Sequence, residues 1–417
     1  MPSRALLPFL SLLAWAVPLA APIAAQSGLP AVEDTTSQAE VAAGEDPDRV
    51  RLSPVFNPLS LYSSTRGFGV QGGLAVRNAF HPGSRVLLGG YVAQRILRGV
   101  AFIHTADPYT APSYGGLYIR AQRSRVEPYY GVGPFTSPDN EVDVDQRTLE
   151  IEGRVGKYLW RRALIVQPVV RLRLDESLDV EEDDEGALGP NGLSAEDIAA
   201  IDEGVQRVGL VYGVDAGLDL RDDAEDPTRG AFYQAGVRRY SAVDGSGLGW
   251  NRAQGSALFY VPGFGARHVA FFGALARLTR PDSGDRLPFY HLDELSDDLL
   301  PGYKSGRFYG RDLFHVGAGY RLPLFDVGQI RVEGFGAAFV ASVYDDVFRQ
   351  FRPRVSFERD VVDTGDGVPL RPGIAVGGGV RRGSFGVGGV IGLSPEGPRL
   401  STIRLLYDLR SPRPVVR

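Results

Sequence analysis

Apolar and polar positions alternate with a period of two along much of this chain, in unusually long runs. From Val205 to Asp222 one set reads Val208, Leu210, Tyr212, Val214, Ala216, Leu218 and Leu220. The other reads Arg207, Gly209, Val211, Gly213, Asp215, Gly217, Asp219 and Arg221. Successive side chains on a strand point to opposite faces, so the pattern predicts one strand with an apolar face and a charged, glycine-rich face. A helix would scatter those charges around its circumference, and the run is longer than a typical soluble strand. The signature recurs. Leu149, Ile151 and Val155 oppose Gln146, Thr148, Glu150, Glu152 and Arg154. Phe314, Val316, Ala318, Tyr320 and Leu322 oppose His315, Gly317, Gly319 and Arg321. Ile403, Leu405, Tyr407 and Leu409 oppose Thr402, Arg404 and Asp408.

Counted back from the end, strands are predicted at 399–409, 384–394, 371–382, 327–342, 310–322, 266–280, 247–261, 230–242 and 205–222. Further back they fall at 162–176, 143–158, 114–126, 99–107, 84–96 and 66–78. Alternate connections are short (Leu159–Arg161, Pro262–Gly265, Phe325–Asp326, Gly383). The others include the long loops 127–142, 177–204, 281–309 and 343–370. Strands with one apolar and one polar face, joined by alternating short and long loops, describe an all-β fold, a single antiparallel transmembrane β-barrel. With both chain ends on the same side the strand number is even, which asks for a sixteenth strand near Arg51–Leu61. Pro54 and Pro58 make that strand an imperfectly paired edge. The barrel therefore has about 16 strands over 51–410, followed by a tail at 411–417.

Composition and the first residues set the compartment. Arg4 precedes an apolar stretch from Ala5 to Val17, and Ala24-Ala25 before Gln26 reads as a signal peptidase site, so 1–25 is expected to be a cleaved signal peptide. Residues 26–50 are rich in Ser, Ala and acids without strand pattern and read as a disordered periplasmic tail. The chain has no cysteine, which excludes a disulfide framework and a lipid-bearing cysteine. Beyond the signal, no apolar run is long enough for a spanning helix. There are 53 Gly, 21 Phe and 18 Tyr but one Met, and the net charge is −5. This suits strands that meet lipid on one face and water on the other. It leaves no basic footprint for nucleic acid.

Catalytic chemistry leaves little trace. His81, His104, His268, His291 and His315 are dispersed without metal-ligand spacing. No Gly-x-Ser-x-Gly elbow occurs, and Ser246 sits in the hairpin sequence DGSG. The Gly-x-Gly pairs at 131–133, 247–249 and 386–388 fall in strands or hairpins rather than before a helix. No catalytic, cofactor or metal residue is assigned, and the chain is not expected to be an enzyme. The stretch Asp175–Glu203 holds twelve acids and no base. Divalent-cation binding is one reading, and a loop kept soluble by charge is the favoured one. Within it Ser194–Ile201 predicts a short helix with Ser194 as N-cap and Asp197 reaching back.

Two motifs stand out. GVDAGLDLRDDAEDPTRGAFYQAGVRRY (213–240) carries Asp219, Arg221 and Asp222, then Pro227, Thr228, Arg229 and Gly230. Asp222 and Asp226 end a strand, Pro227 presets a turn, and Gly230 lets the backbone restart. LPGYKSGRFYGRDLFHVGAGYRLPLF (300–325) carries Gly302, Tyr303, Arg307 and Arg311, and YYGVGPFTSPDN lies at 129–140. These segments resemble the BamA/TamA-type outer-membrane proteins, whose barrel is catalogued as the bacterial surface antigen domain. The first is similar to the family's Asp-x-Arg-Asp and Pro-Thr-Arg-Gly strand–turn–strand. The second is similar to its sixth extracellular loop, and the third to its Tyr-Tyr-Gly-x-Gly loop.

The resemblance implies that loop 281–309 folds into the lumen, where the family's Arg-Gly-Phe/Tyr tip binds acidic residues on the wall. Here Pro301 stands in place of that arginine, so Arg307 or Arg311 is the candidate for its charge and Glu333 the candidate partner, with Asp219 and Arg221 as further lumen charges. It also implies an outer-membrane protein of biogenesis, or of protein or lipid translocation. A lateral seam between the first and last strands, near Val55 and Leu405, would open. Expected partners are outer-membrane lipid and client proteins or lipids. Relatives carry POTRA domains before the barrel, and residues 26–50 are too few for one, so a separate periplasmic delivery partner is expected. The alternative is a passive channel or a structural surface protein.

Overall fold

The computed structural model describes residues 50–56, 62–63, 67–106, 111–160, 163–183, 186–189, 192–223, 227–265, 267–282, 286–297, 299–328, 330–382 and 385–407. The expected signal peptide, nearly all of the 26–50 tail, Asp226, Asp408 and the 411–417 tail lie outside them. Strands dominate. They are Arg51–Phe56 (β1), Tyr62–Ser63 (β2), Gly67–Arg77 (β3), Arg85–Ala93 (β4), Ile96–His104 (β5), Ser113–Tyr129 (β6), Val142–Leu159 (β7) and Leu164–Glu182 (β8). There follow Gln206–Asp219 (β9), Gly230–Ala242 (β10), Gly249–Pro262 (β11) and Val269–Pro281 (β12), then the two-residue Asp293–Glu294 (β13) and Tyr309–Gly310 (β14). The rest are Asp312–Val327 (β15), Ile330–Tyr344 (β16), Phe351–Val355 (β17), Val368–Arg382 (β18), Phe385–Ser394 (β19) and Gly397–Tyr407 (β20).

From β3 to β12 each strand pairs antiparallel with the next. The ladder continues through β15, β16, β18, β19 and β20. At the other end β1 and β2 both lie along β3, as two pieces of one edge strand. The ring closes where Tyr62 faces Ile403 and Ser63 faces Thr402. Joining β1 to β2, and setting aside β17, which runs parallel to β18, the 18-stranded sheet makes a barrel of sixteen staves. No helix among the described residues is long and apolar enough to cross a membrane.

Period-two patterning puts the apolar face outward. On β7 Leu149, Ile151 and Val155 are exposed while Glu150 and Glu152 are buried in the lumen. On β9 Tyr212 and Val214 are exposed while Asp215 is buried. Exposed Ile374, Val376 and Val380 continue the band on β18. In a soluble protein such a surface would aggregate; against lipid it is the stable arrangement.

Three expectations need correction. The acidic stretch from Asp175 begins as strand, because β8 runs on to Glu182, and Asp175 is buried. Phe325–Asp326 is not a turn, because β15 continues to Val327 through an irregularity between Pro323 and Phe325. Pro323 cannot donate to the ladder, and the bulge absorbs it. The 343–370 loop is partly ordered by α2 (Val347–Gln350) and β17. The predicted short helix is α1 (Ala195–Ile201), with Ser194 and Asp197 forming a reciprocal capping box.

The lipid-facing assignment is testable at one residue. Ile151→Arg should destabilise the barrel by about 2–4 kcal/mol, as arginine does near the bilayer midplane. The readout is urea unfolding in phospholipid vesicles, and an unchanged midpoint would mean that this face does not meet lipid.

Candidate functional site

The strands enclose a lumen, and the chain between β12 and β15 fills it. Leu287, Phe289, Tyr290, Leu292, Leu295, Leu300, Tyr303, Phe308 and Tyr309 are all buried. A one-turn 3-10 helix covers Phe289–His291, and β13 pairs with β14 so that the segment closes on itself as a hairpin. Its apolar side chains join inward-facing Val211, Tyr240 and Trp250 in one cluster and Phe271, Leu313 and Phe339 in another. The loop after β6 packs on the same plug. Gly133 N donates to Tyr309 O (2.7 Å) and Thr136 Oγ1 to Arg307 O (2.7 Å). Val132 N donates to Asp197 Oδ1 (2.8 Å), tying in α1.

Lumen charges hold the plug by its backbone. Arg173 on β8 donates to Tyr290 O (2.9 Å), and Arg252 on β11 donates to His291 O (2.6 Å). Asp293 of the plug lies 3.3 Å from Arg277 and 3.5 Å from Arg252. Behind them stands an ionic lattice: Arg120–Glu150 (2.7 Å), Arg171–Glu152 (2.5 Å), Arg154–Glu152 and Arg173–Asp175 (2.6 Å). The acids of 175–203 thus serve the barrel's own arginines in part. Asp202 receives Arg207 (2.7 Å) and the Tyr290 hydroxyl (2.7 Å). No group of three or more metal-ligating side chains occurs among the described residues. Burial, aided by Arg173, Arg252 and Arg207, pushes His291 well below the usual histidine range. The ring packs against Tyr240 at 4.5 Å.

The tip of the plug is fixed to the last hairpin. Gly302 has φ +98°, and a Cβ there would lie 2.7 Å from Leu393 C, so only glycine fits against β19. Ser394 Oγ donates to Gly302 O (2.7 Å), and Ser401 Oγ on β20 donates to Asp297 Oδ1 (2.9 Å). Tyr303 is buried, with its hydroxyl donating to Pro372 O (3.1 Å). Lys304 N donates to Glu396 Oε2 (3.2 Å), and Arg307 Nε donates to Glu396 Oε1 (3.0 Å). Arg307 and Glu396 are 0% and 2% exposed. Burial lowers the Arg307 pKa, against the attraction of Glu396.

The remaining candidates lie elsewhere. Glu333 does not receive the loop arginine; it pairs with Arg331 on its own strand (3.3 Å), near the short-turn end of the barrel. Arg311 pairs with Asp345 (3.5 Å), outside the plug tip. Asp219 and Arg221 pair with each other (2.7 Å), and Arg221 lies over Phe232. In the turn, Asp222 accepts from Thr228 N (2.9 Å) and Arg229 N (3.2 Å). Burial works against its charge, but the hydrogen bonds from Thr228, Arg229 and Asp223 hold it below the usual carboxylate range. Gly230 has φ +106°, and Pro227 O accepts from Arg321 Nη2 (2.9 Å). Motif reading did not find Glu396, Asp297, Ser401, Arg173 or Arg252. Their pairing depends on which strands become neighbours of the plug, and no local pattern encodes that.

No protein-family model matches the sequence, and no curated protein matches it. Solved structures do. BamA from Haemophilus ducreyi lacking POTRA domains 1–3 is 13% identical, with 86% of this chain and 70% of that one covered and a TM-score of 0.57. CdiB from Escherichia coli is 12% identical, covers 87% of this chain and 62% of that one, and has a TM-score of 0.52. The chain has the BamA-type barrel fold. It spans less than two thirds of the CdiB chain. At the plug tip Pro301 is followed six residues later by a buried arginine, Arg307, that meets an acid of the final hairpin.

Arg307→Met should leave Glu396 buried without its cation, a loss of about 3–5 kcal/mol. The expected readout is protease cleavage within 286–310 in intact cells, while Glu333→Gln leaves cleavage unchanged. Acid should loosen the same plug. A histidine whose folded-state pKa is depressed binds more protons when released, so its contribution to docking is lost as pH falls below about 6.5. His291→Phe should blunt the rise in cleavage between neutral and mildly acid pH, and an identical pH profile in the variant would count against it.

Proposed function

We propose that this protein is exported through a cleaved signal peptide to the outer membrane. There it acts in membrane biogenesis, or in moving protein or lipid, through a seam between the first and last strands. The action is mechanical rather than catalytic. The observation that carries this reading is the closure of the ring. Neighbouring staves are zipped along most of their length, but among the described residues the β2–β20 junction has two residue pairs. Val55 faces Gly73 on β3, and the described closing pairs are Tyr62 with Ile403 and Ser63 with Thr402. Opening it exposes an edge with free backbone donors and acceptors, to which a client strand can add. Outer-membrane lipid borders that edge, and a separate periplasmic, POTRA-containing partner would deliver clients to it. The passive-channel reading is disfavoured by the packed plug.

A Ser63→Cys/Thr402→Cys pair tests the seam. In liposomes the reduced protein should speed folding of an added unfolded barrel client several-fold over protein-free vesicles, and the oxidised protein should not. Equal acceleration in a fully crosslinked sample would defeat the mechanism. In planar bilayers the intact chain should show no stable open level, whereas deletion of 286–308 should produce one. A steady, salt-proportional conductance with the plug in place would favour the channel.

A further inference from the structure

Charge does not balance at the tip of the plug. Arg307 and Arg371 are the two largest fully buried side chains of the described structure. Both guanidiniums lie over the ring of Phe308, at 4.7 and 4.5 Å. Among the described residues the one carboxylate in ion-pair contact with them is Glu396, and it is bound to Arg307. Arg371 Nη2 donates to a neutral acceptor, Pro134 O (2.6 Å). Nearby Glu141 is matched by Lys304 (2.5 Å) and offers no spare negative charge. Asp360, on the outer loop, attracts both arginines, yet it is exposed and forms no ion pair with either.

Two donors are left over. Arg307 Nη2 and Arg371 Nη1 are buried and have no hydrogen-bond partner. A buried cation without a counter-charge is strongly unfavourable, and unmet donors on it add to the cost. Guanidinium is the cationic group least willing to lose its proton, so deprotonation is a poor escape.

We propose that Arg307 and Arg371 together hold one monovalent inorganic anion of halide size, bound between Arg307 Nη2 and Arg371 Nη1. The donors are sealed from solvent, so the anion is enclosed as the plug forms. The anion supplies the missing negative charge and satisfies both orphan donors. It also joins three parts of the chain: the plug tip through Arg307, the start of β18 through Arg371, and the 130–141 loop through the Pro134 carbonyl. Such a site is independent of whether the seam opens.

Bromide is the probe. In crystals of the full chain with bromide replacing chloride, the expected result is one buried anomalous peak within hydrogen-bonding distance of Arg307 Nη2 and Arg371 Nη1. The peak should vanish in Arg371→Gln. Bromide at surface positions only, a water at the site, or the Asp360 carboxylate turned in to occupy it would each overturn the proposal. Should Arg371→Gln fail to fold, the wild-type map decides alone. A second reading uses thermal unfolding of the wild type at fixed ionic strength. Bromide should raise the midpoint saturably relative to gluconate, and superimposable curves would overturn the site.

Discussion

Inside a bilayer no water is present to satisfy an open backbone amide or carbonyl, so a spanning sheet must close on itself. Everything else in this structure is arranged around that requirement. The alternating pattern gives each strand a face for lipid and a face for the lumen, and the ladder from β3 to β20 satisfies the backbone almost all the way around. Among the described residues closure is thinnest at β2–β20. The edge strand carries Pro54, which has no amide hydrogen to give. On the proposed function, that junction keeps the latent pairing capacity of a sheet edge at a defined place on the circumference.

The lumen solves a second problem. Arginines and carboxylates lining the wall would otherwise face each other across water, where such pairs contribute little. The plug excludes that water and turns the lining into a docking surface. Arg173 and Arg252 grip carbonyls of the 3-10 turn, while Glu396 grips Arg307 at the tip. Since Glu396 and Ser401 belong to the final hairpin, the plug bears directly on the strand that completes the ring.

The strand positions were legible in the sequence because a period of two is a local signal, and β10 falls on its predicted bounds, 230–242. The capping box at Ser194 was legible for the same reason. Strand ends were less so. Charged Asp179, Glu181 and Glu182 resemble a loop, yet pairing with β7 carries β8 out to Glu182. The site was readable only as a segment. That Tyr303 and Arg307 lie in the plug follows from resemblance, but that Arg307 meets Glu396 rather than Glu333 depends on which wall the loop leans against. Glu333 sits where β16 nears its short turn to β15, far along the strand from the plug.

The fastening of the plug to the final hairpin has a consequence for the order of assembly. Gly302 is seated on β19 and Asp297 on β20, so those strands and the plug form one contact unit. Joining Tyr62 to Ile403 brings together the two ends of the chain, the contact of longest sequence separation and therefore the slowest to form. Closing the ring first would leave the plug only the barrel's mouth to enter by. Furnishing the lumen before the door is shut is the shorter route, because the plug's seats on the last hairpin are nearer in sequence than the closing pair.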